Sequence, residues 1–440
     1  MSTIKIAFCI PTFEQKDRIF EFLEQFMSGY EERGIDVYIY DSSIDDETEI
    51  IVKNYQHQTD NLYYIRVSNE LTSIDKMYKI FQQFGLKKEY DFIWACGDGI
   101  RYSLEAIDII LPQISIEYDV IHINSMDEEG IGNREYKDCN EYFMDCAWHT
   151  TLFGALILNY HTMLKDVCWE KYEAKFLNDV FLSFAHVCFY FNRFLELQQF
   201  HSKHISGYYC YTTKLKKQCG WYKNTFKVLG ERWVKSIESL PDCYTNKDEV
   251  LRKFGRYAAL ENESAFLQKR IDGVYDENIY AQYEKVLPRI CDIPIKRMKE
   301  IAFMTKEQAG LEMQKWVDER RKNGLAELNS FIEKYPKFLI YGAGLNAKRY
   351  AKLFQKENDV YEGFCISERK TCDNELMGHP CYAAEEIGDK LKEYGIYLAL
   401  NIVNRKQVRE FLEKKGILDQ LFFSEELDTY VHAFSKNEEI

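Results

Sequence analysis

Short apolar runs alternate with amphipathic stretches along the first 125 residues of the chain. Apolar residues recur with helical spacing in the stretches between the runs, which predicts helices there. Because several of the runs are almost entirely apolar, the pattern predicts a mainly parallel sheet that is covered by helices on both faces. The predicted strands are Ile4–Ile10, Asp36–Asp41, Leu62–Val67, Asp91–Cys96 and Tyr118–Asn124. The predicted helices are Asp17–Tyr30, Asp46–Tyr55, Ile74–Phe84 and Leu104–Ser115.

The rest of the chain divides into segments of different character. Residues 126–145 are polar and acidic and predict a surface loop, whereas residues 245–325 predict helices without strand alternation. A second alternation of strands and helices begins at Phe338. We therefore predict an α/β protein with three parts: a domain over residues 1–244, the helical connecting segment, and a second α/β domain over residues 326–440.

The composition describes a folded protein with an acidic surface. Hydrophobic residues make up 46% of the chain, and 57 Lys and Arg against 71 Asp and Glu give a net charge of −14. This balance argues against general nucleic-acid binding, which needs basic residues to displace counterions from phosphates. The longest apolar run, residues 180–195, is interrupted by polar residues and is shorter than the ~20 residues that cross a bilayer. Thirteen cysteines without a secretory signal predict reduced thiols in the cytoplasm.

Acidic residues follow three of the predicted strands. Asp41 ends the second strand, Asp75 opens the helix after the third, and Asp98 lies in a glycine turn after the fourth. Since the carboxyl ends of parallel strands meet at one edge of a sheet, we expect these carboxylates to converge. An Asp after a strand is, taken alone, more often a helix cap or a turn residue than a site residue. Together they predict a nucleotide and metal site.

The sequence around these strand ends resembles GT-A-fold glycosyltransferases, and among them the large inverting group called family 2. The similarity lies in IAFCIPTFEQ, VYIYDSSIDDET and DFIWACGDGI, in this order along the chain. It implies that the N-terminal domain binds a nucleotide sugar. It also implies a set of residues that hold the donor: Pro11, Thr12, Glu14, Asp41, Asp75 and Asp98.

The resemblance further implies a divalent cation, Mn²⁺ or Mg²⁺, on the donor diphosphate. The family binds this cation through an Asp-x-Asp motif, and Asp98 matches its last acid. Cys96 replaces the first acid and Gly99 replaces a neighbouring third one, which weakens the predicted metal site. Relatives supply a histidine from the region that contains His201 and His204, so either histidine is a candidate to complete the cation site.

Glycosyl transfer also needs a group that takes the proton of the acceptor hydroxyl. The family places an acid at the start of a helix below the acceptor, and Asp179 is the nearest match; the alternative is a surface or capping residue. His186 is a second candidate base, with a core histidine as its alternative. Trp148 matches the stretch that forms the floor of the acceptor site in the family, where its ring would stack on a sugar. The alternative is that Trp148 belongs to the hydrophobic core.

A basic stretch, residues 203–235, contains eight Lys and Arg and a single acid. Three interpretations stay open for it: stabilisation of the leaving diphosphate, an ordinary solvated face, or attraction to anionic lipid head groups. The last interpretation predicts a peripheral association with a membrane.

A glycine-rich turn opens the second α/β domain. FLIYGAGLNA matches the strand, turn and helix start of a dinucleotide-binding site, with Gly342 and Gly344 in the turn. The acid expected at the end of the next strand is replaced by Ser367 followed by Glu368. The domain resembles Rossmann-like domains appended to sugar-modifying enzymes. It is either a second nucleotide site or a packing domain that suits a homodimer.

These features predict an enzyme, a glycosyltransferase of the hexosyltransferase class. It would transfer a sugar from a nucleotide-diphosphate donor to a glycan, lipid-linked or protein-linked acceptor, with inversion, in bacterial capsule or other surface polysaccharide assembly. We expect it in the cytoplasm or at the inner face of the membrane. One alternative is a non-catalytic GT-A-fold subunit that binds nucleotide or glycan. A second alternative is an oxidoreductase built on the C-terminal domain.

Overall fold

The chain folds into two compact units, Met1–Phe303 and Met304–Ile440. The first contains a large sheet and the second a smaller one. The computed structural model describes residues 4–86, 89–125, 129–207, 210–212, 221–258, 260–357, 361–367, 374–400 and 402–434.

The first unit combines strands and helices in the predicted alternation and then continues as helices. Its strands are β1 Ile6–Thr12, β2 Ile35–Asp41, β3 Leu62–Arg66, β4 Phe92–Ala95, β5 Ile100–Tyr102, β6 Val120–Asn124, β7 Arg134–Tyr136, β8 Leu156–Asn159, β9 Ser202–Ser206 and β10 Cys210–Thr212. Its helices are α1 Lys16–Glu32, α2 Glu47–Gln56, α3 Ser73–Leu86, α4 Leu104–Ile110, α5 Cys139–Cys146, α6 Trp169–Phe176, α7 Ala185–Glu196, α8 Thr225–Lys227, α9 Val234–Glu238, α10 Lys247–Ala258, α11 Glu263–Ile271, α12 Glu277–Tyr283, α13 Leu287–Ile290 and α14 Ile295–Phe303.

Within the described residues, one sheet of the first unit has the strand order β3-β2-β1-β4-β8-β6-β9-β7. Strand β1 pairs in parallel with β2 and β4, and β2 pairs in parallel with β3. Strand β8 runs antiparallel between β4 and β6, and β7 runs antiparallel beside β9. The predicted mainly parallel sheet is confirmed, and the two reversed strands are additions that the sequence pattern did not indicate.

Helices cover both faces of this sheet, as predicted. On one face, Phe8 of β1 packs in a buried cluster with Phe22 of α1 and Ile107 of α4. On the other face, α3 packs on β1 and β4 and contacts α7, where Tyr78 donates a hydrogen bond to the carbonyl of Ala185. Burial of both faces explains why these strands read as nearly continuous apolar runs.

The segment over residues 126–145, predicted as a surface loop, contains secondary structure. Residues 126–128 lie outside the described residues, and β7 and α5 follow them. Tyr142 and Phe143 of α5 are completely buried, and their rings pack against Phe191 of α7. The loop prediction is wrong because two aromatic residues bury this helix although most of its neighbours in the sequence are polar.

Helices without strands follow residue 245, as predicted. The first five, α10 to α14, belong to the first unit, in which α10 packs against α5 and α13. The structure divides the chain after Phe303. The three-domain division at residues 244 and 325 stays a prediction.

The second unit is also an α/β structure, in line with the second alternation of strands and helices in the sequence, whereas its Rossmann-like character and its boundary at residue 326 stay predictions. Its sheet has the order β13-β14-β12-β11-β15-β16, in which β13 is antiparallel and the other pairs are parallel. Strand β12 lies on one side of β11 and β15 on the other, so the strand order reverses at β11. In open α/β sheets, ligands bind at such a reversal point. The elements are α15 Lys306–Lys334, β11 Phe338–Tyr341, α16 Leu345–Glu357, β12 Gly363–Ile366, β13 Glu375–Leu376, β14 His379–Ala383, α17 Ala384–Ile387, β15 Gly395–Leu398, α18 Ile402–Lys414, β16 Leu421–Phe422 and α19 Glu425–Phe434.

Candidate functional site

The carboxyl ends of β1, β2 and β4 meet at one edge of the first sheet. Strands β1 and β2 are paired in register as far as Thr12 and Asp41, and the amide of Ser42 donates to the carbonyl of Thr12 over 3.2 Å. Asp98 joins them from the turn after β4, because Thr12 Oγ1 donates to Asp98 Oδ2 over 3.0 Å. Asp41 and Asp98, two of the predicted site acids, thus come from different strand ends to one edge.

Asp41 is completely buried, and both of its carboxylate oxygens accept hydrogen bonds. Oδ1 accepts from the amide and the hydroxyl of Ser43, over 2.8 and 2.5 Å. Oδ2 accepts from the Tyr64 hydroxyl over 2.8 Å and from Arg66 Nη1 over 3.4 Å. The Ser43 hydroxyl accepts in turn from the amide of Glu14 over 2.7 Å. The Asp41 carboxylate therefore holds together the turns that follow β1 and β2.

Lys76 is a buried cation at the same edge that the sequence analysis did not select. Its Nζ donates to the carbonyl of Thr12 over 2.6 Å and to the hydroxyl of Ser42 over 2.9 Å. Burial lowers the pKa of Lys76 to about 8, although the nearby carboxylates of Asp98 and Asp41 act to raise it. The sequence signal for Lys76 was its position on the apolar face of α3, next to Met77.

Asp75, in the first turn of α3, makes the contacts of a helix cap. Its Oδ2 accepts from the amide of Thr72 over 2.8 Å and from the Thr72 hydroxyl over 2.7 Å. The Thr72 hydroxyl accepts in return from the amide of Asp75 over 3.2 Å. This reciprocal pair stabilises the start of α3. The nucleotide contact of Asp75 stays a prediction.

Asp98 is paired with an arginine from the first turn of α1. Arg18 Nη1 donates to Asp98 Oδ1 over 3.0 Å, while Oδ2 accepts from Thr12. Arg101 joins the turn to the helix, because its guanidinium donates to the carbonyls of Asp98 and Arg18, each over 2.7 Å. Both carboxylate oxygens of Asp98 are therefore engaged by side chains of the protein.

The neighbours of Asp98 do not fit a divalent cation at this position. Cys96 is 1% exposed, and a Cβ added to Gly154 would lie 2.8 Å from its Sγ, so the thiol is packed against that glycine. A Cβ added to Gly99 would lie 3.0 Å from Arg18 Nη1, so the guanidinium occupies the space beside Gly99. Mn²⁺ and Mg²⁺ prefer several oxygen ligands, and the described residues offer one carboxylate that is already hydrogen-bonded.

The turn after β1 brings Phe13 and Glu14 to the carboxyl edge of the first sheet. Pro11 lies inside β1. The pairing of β1 with β4 ends at Cys9, so the N–H that Pro11 lacks costs no hydrogen bond to β4. The Phe13 ring is 37% exposed, and Lys76 Nζ lies 6.0 Å from its centroid. Glu14 is exposed and has a φ of 51°, a conformation that is uncommon outside glycine.

Trp148 lines an aromatic cavity of about 450 Å³ in the first unit. The indole is 3% exposed and packs against Tyr257 with ring centroids 4.7 Å apart. His149, Phe153, Phe184 and Phe254 are among the other residues of the wall. The structure therefore makes Trp148 both a core residue and the wall of a cavity of ligand size, and its contact with an acceptor stays a prediction.

The two candidate bases differ in exposure. Asp179 is exposed in the turn between α6 and α7, and the same turn supplies Ser183 and Phe184 to the wall of the aromatic cavity. His186 is 1% exposed and packs on Phe153, and burial lowers its pKa to about 4. A neutral histidine of such low basicity fits the core interpretation better than that of a general base.

His201 and His204 have different surroundings, so one cation cannot bind both. His201 Nε2 lies 3.2 Å from Glu135 Oε2, and its ring packs on Tyr118. His204 is completely buried and is the register partner of His122 in β6. His204 Nδ1 donates to the carbonyl of Gly132 over 2.7 Å. His204 thus lies among β6, β7 and the segment before β7.

His204 belongs to a buried group of His122, Cys146 and His204 whose ligand atoms lie within 4.8 Å of one another. These residue types are metal ligands, so the group is a candidate cation site among the described residues. His122 is at the same time hydrogen-bonded on both sides, by the Tyr142 hydroxyl over 3.0 Å and by His149 Nδ1 over 2.9 Å. Burial lowers the pKa of His122 well below its usual value and that of His149 to about 3, so both rings are neutral.

The glycine turn of the second unit lines a cavity of about 620 Å³ at the carboxyl end of β11. Gly342 has a φ of 124°, which only glycine adopts readily, and a side chain there would approach Leu400. Ser367, Asn404 and Gln407 supply polar groups to the cavity. Glu368 lies outside the described residues. The second nucleotide site at Gly342 and Gly344 stays a prediction.

The basic stretch over residues 203–235 is partly described. Lys214, Lys216 and Lys217 lie outside the described residues. Lys203 pairs with Glu135 over 3.4 Å, and Arg232 donates to the hydroxyl of Ser183 at the aromatic cavity over 3.0 Å. No helix in the described part of the chain is both long and apolar enough to cross a membrane.

Some solved structures are similar to this chain at low sequence identity. No family model matches the chain, and no curated protein matches it. The structure of TarS from S. aureus is 15% identical, with a TM-score of 0.38, over 68% of this chain and 55% of TarS. The structure of TarS residues 1–349 is 14% identical, with a TM-score of 0.38, over 68% of this chain and 90% of that fragment.

A third similar structure is the mannosyltransferase PcManGT from Pyrobaculum calidifontis in complex with GDP-Man and Mn²⁺. It is 11% identical, with a TM-score of 0.36, over 70% of this chain and 86% of its own.

Proposed function

We propose that the chain is a glycosyltransferase that transfers a sugar from a nucleotide-diphosphate donor to an acceptor hydroxyl, with inversion at the anomeric carbon. The observation that carries the proposal is the convergence of Thr12, Lys76, Asp98 and Arg18 at the carboxyl edge of the first sheet. Ligands of such sheets bind beyond the carboxyl ends of the strands. Two cations at that edge suit a diphosphate, which is both the binding handle and the leaving group.

The nucleotide lies, in this proposal, along the turns that follow β1 and β2. The exposed ring of Phe13 offers a face for the base, and the exposed carboxylate of Glu14 offers an acceptor for ribose hydroxyls. Asp41 is a positioning residue, since it is buried and acts through Ser43 on the amide of Glu14. Pro11 shapes the end of β1, and Asp75 approaches the donor from the start of α3.

The acceptor occupies the aromatic cavity, with Trp148 as one wall. Aromatic rings bind the apolar faces of sugars while leaving their hydroxyls to polar neighbours. Asp179 takes the proton of the attacking hydroxyl, because the turn that carries it also forms part of the cavity wall through Ser183 and Phe184. The attacking oxygen then bonds to the anomeric carbon on the side opposite the diphosphate, which inverts its configuration.

The wider setting is part of the same proposal. We place the reaction in the assembly of a bacterial capsule or other surface polysaccharide, on a glycan, lipid-linked or protein-linked acceptor. The enzyme works in the cytoplasm, with its basic stretch drawn to anionic lipids at the inner face of the membrane. The second unit provides a packing surface for a homodimer, with a second nucleotide site at its glycine turn as the alternative.

The function is tested with UDP, GDP, CDP and TDP, with their sugar conjugates, and with NAD. We expect one nucleoside diphosphate to raise the melting temperature. At a concentration of a hundred times its dissociation constant, it should add about 2.7 kcal/mol to the free energy of unfolding. We expect the corresponding sugar donor to release that diphosphate, measured by a coupled assay. Stabilisation without turnover on any acceptor would indicate the non-catalytic subunit. Stabilisation by NAD alone would move the activity to the second unit.

Asp179→Asn tests the proposed base. The amide cannot accept the proton, so we expect kcat to fall by about a hundredfold or more while the affinity for the donor is unchanged. Asp166→Asn is the matched control, since it changes another exposed acid of a nearby turn. Equal kcat values in the two variants would remove Asp179 from the reaction.

The affinity for the nucleoside diphosphate is expected to fall as the pH rises from 7 to 9. Lys76 has a pKa of about 8, so its ammonium, charged at pH 7, is mostly neutral at pH 9. If only the charged form binds, the affinity falls about tenfold over this range. Titration calorimetry at several pH values checks this. Lys76→Met should bind weakly and without the pH dependence, whereas Lys79→Met, an exposed residue of the same helix, should keep it; an unchanged profile in Lys76→Met would contradict the assignment.

A further inference from the structure

The turn around Asp98 departs from the family pattern at Cys96 and Gly99, and the side chain of Arg18 lies beside the second of these positions. Arg18 places its guanidinium on Asp98 and beside Gly99. Any side chain at position 99 would begin 3.0 Å from Arg18 Nη1, so an acid there would compete with the guanidinium for space. At the other position, the family's acid is replaced by Cys96, whose thiol is buried against Gly154.

Arg18 is held in place from two directions. Its Nη1 donates to Asp98 Oδ1 over 3.0 Å, and its carbonyl accepts from Arg101 Nη2 over 2.7 Å. The side chains of Arg18 and Asp98 are only 15% and 18% exposed, so water screens the pair less than a surface ion pair. A guanidinium fixed in this way is ready to bind an anion with little further ordering.

Positive side chains lie beside both carboxylates of the edge. Burial lowers the pKa of Lys76 and the carboxylates of Asp98 and Asp41 act to raise it, and Arg18 pairs with Asp98, so two positive charges lie beside these acids. Arg66 adds a further positive charge on Asp41. A guanidinium has five N–H donors in a planar fork, which matches both carboxylate and phosphate oxygens. Arg18 is therefore able to bridge Asp98 and a phosphate.

We infer that Arg18 binds the donor diphosphate in place of a divalent cation, so that donor binding and turnover are independent of metal. The inference rests on the proposed function of this edge as the donor site. Asp98 then orients Arg18 and binds no ion. As the acceptor oxygen bonds to the anomeric carbon, the bond from that carbon to the diphosphate breaks. Its electron pair stays on the diphosphate, whose charge Arg18 and Lys76 stabilise, while the acceptor proton passes to Asp179.

The test measures binding by titration calorimetry, with the probe chosen from UDP, GDP, CDP and TDP as the one that raises the melting temperature most. Each titration is made in EDTA and again in Mn²⁺. We expect the wild-type protein to bind with the same affinity within about twofold in both conditions. We expect Arg18→Gln to weaken binding about tenfold or more in EDTA, since it loses charged hydrogen bonds and leaves Asp98 facing the diphosphate.

The matched control is Arg33→Gln, which removes the arginine that follows the last residue of α1 and pairs with Asp108. It should bind like the wild-type protein. Arg18→Lys keeps the charge without the fork, so its affinity should lie between those of the wild type and Arg18→Gln. Melting curves show that each variant is folded, and if Arg18→Gln does not fold, the loss of affinity in Arg18→Lys is the deciding measurement.

The outcomes separate this inference from the proposed function. Wild-type binding that requires Mn²⁺ would overturn the inference and leave the donor site intact. Metal-independent binding that Arg18→Gln does not weaken would also overturn it. The absence of binding by every diphosphate, with and without Mn²⁺, would remove the proposed function and the inference with it. Metal-independent binding that depends on Arg18 and not on Arg33 supports both.

Discussion

The parallel pairing of β1 with β2 and β4 is the constraint on which the candidate site depends. It sets Thr12 beside Asp41 and brings the Asp98 turn to the same edge. The edge is then closed from α3 by Lys76, whose ammonium donates to the carbonyl of Thr12 and the hydroxyl of Ser42. A buried ammonium is tolerated only with such acceptors and with carboxylates nearby. The same hydrogen bonds of Lys76 therefore fix the edge of the sheet and place a positive charge at the candidate site.

The site is built from charges that satisfy one another before any ligand is present. Asp41 is saturated by four donors, and Asp98 is shared by Thr12 and Arg18. Such preorganised groups bind an incoming charge without the cost of ordering themselves. This property suits the displacement of a diphosphate, in which negative charge develops at a fixed place. It also explains why the edge is poor in the free carboxylates that a divalent cation needs.

The sequence predicted the elements of the first 125 residues because apolar strands and amphipathic helices differ in period. It also placed Asp41 and Asp98 at one edge, since a strand end can be recognised in the sequence. It did not find Arg18 and Lys76 as site residues. Both lie on helices, and the direction in which a helix presents its charged residues depends on how the helix packs on the sheet. It also did not find His122 as the neighbour of His204, because that contact needs the pairing of β6 with β9, about 80 residues later. The predicted loop over residues 126–145 was wrong for a related reason: burial of Tyr142 depends on the sheet that it covers.

The most direct test of this account is a crystal structure of the protein with its nucleotide-sugar donor, grown in the presence of EDTA. The account predicts that the diphosphate lies at the carboxyl edge of the first sheet, with its oxygens within hydrogen-bond distance of Arg18 Nη and Lys76 Nζ. It also predicts that the nucleotide lies along the turn that contains Phe13 and Glu14. A donor bound instead at the glycine turn of the second unit would contradict the account, as would a diphosphate with no contact to either cation.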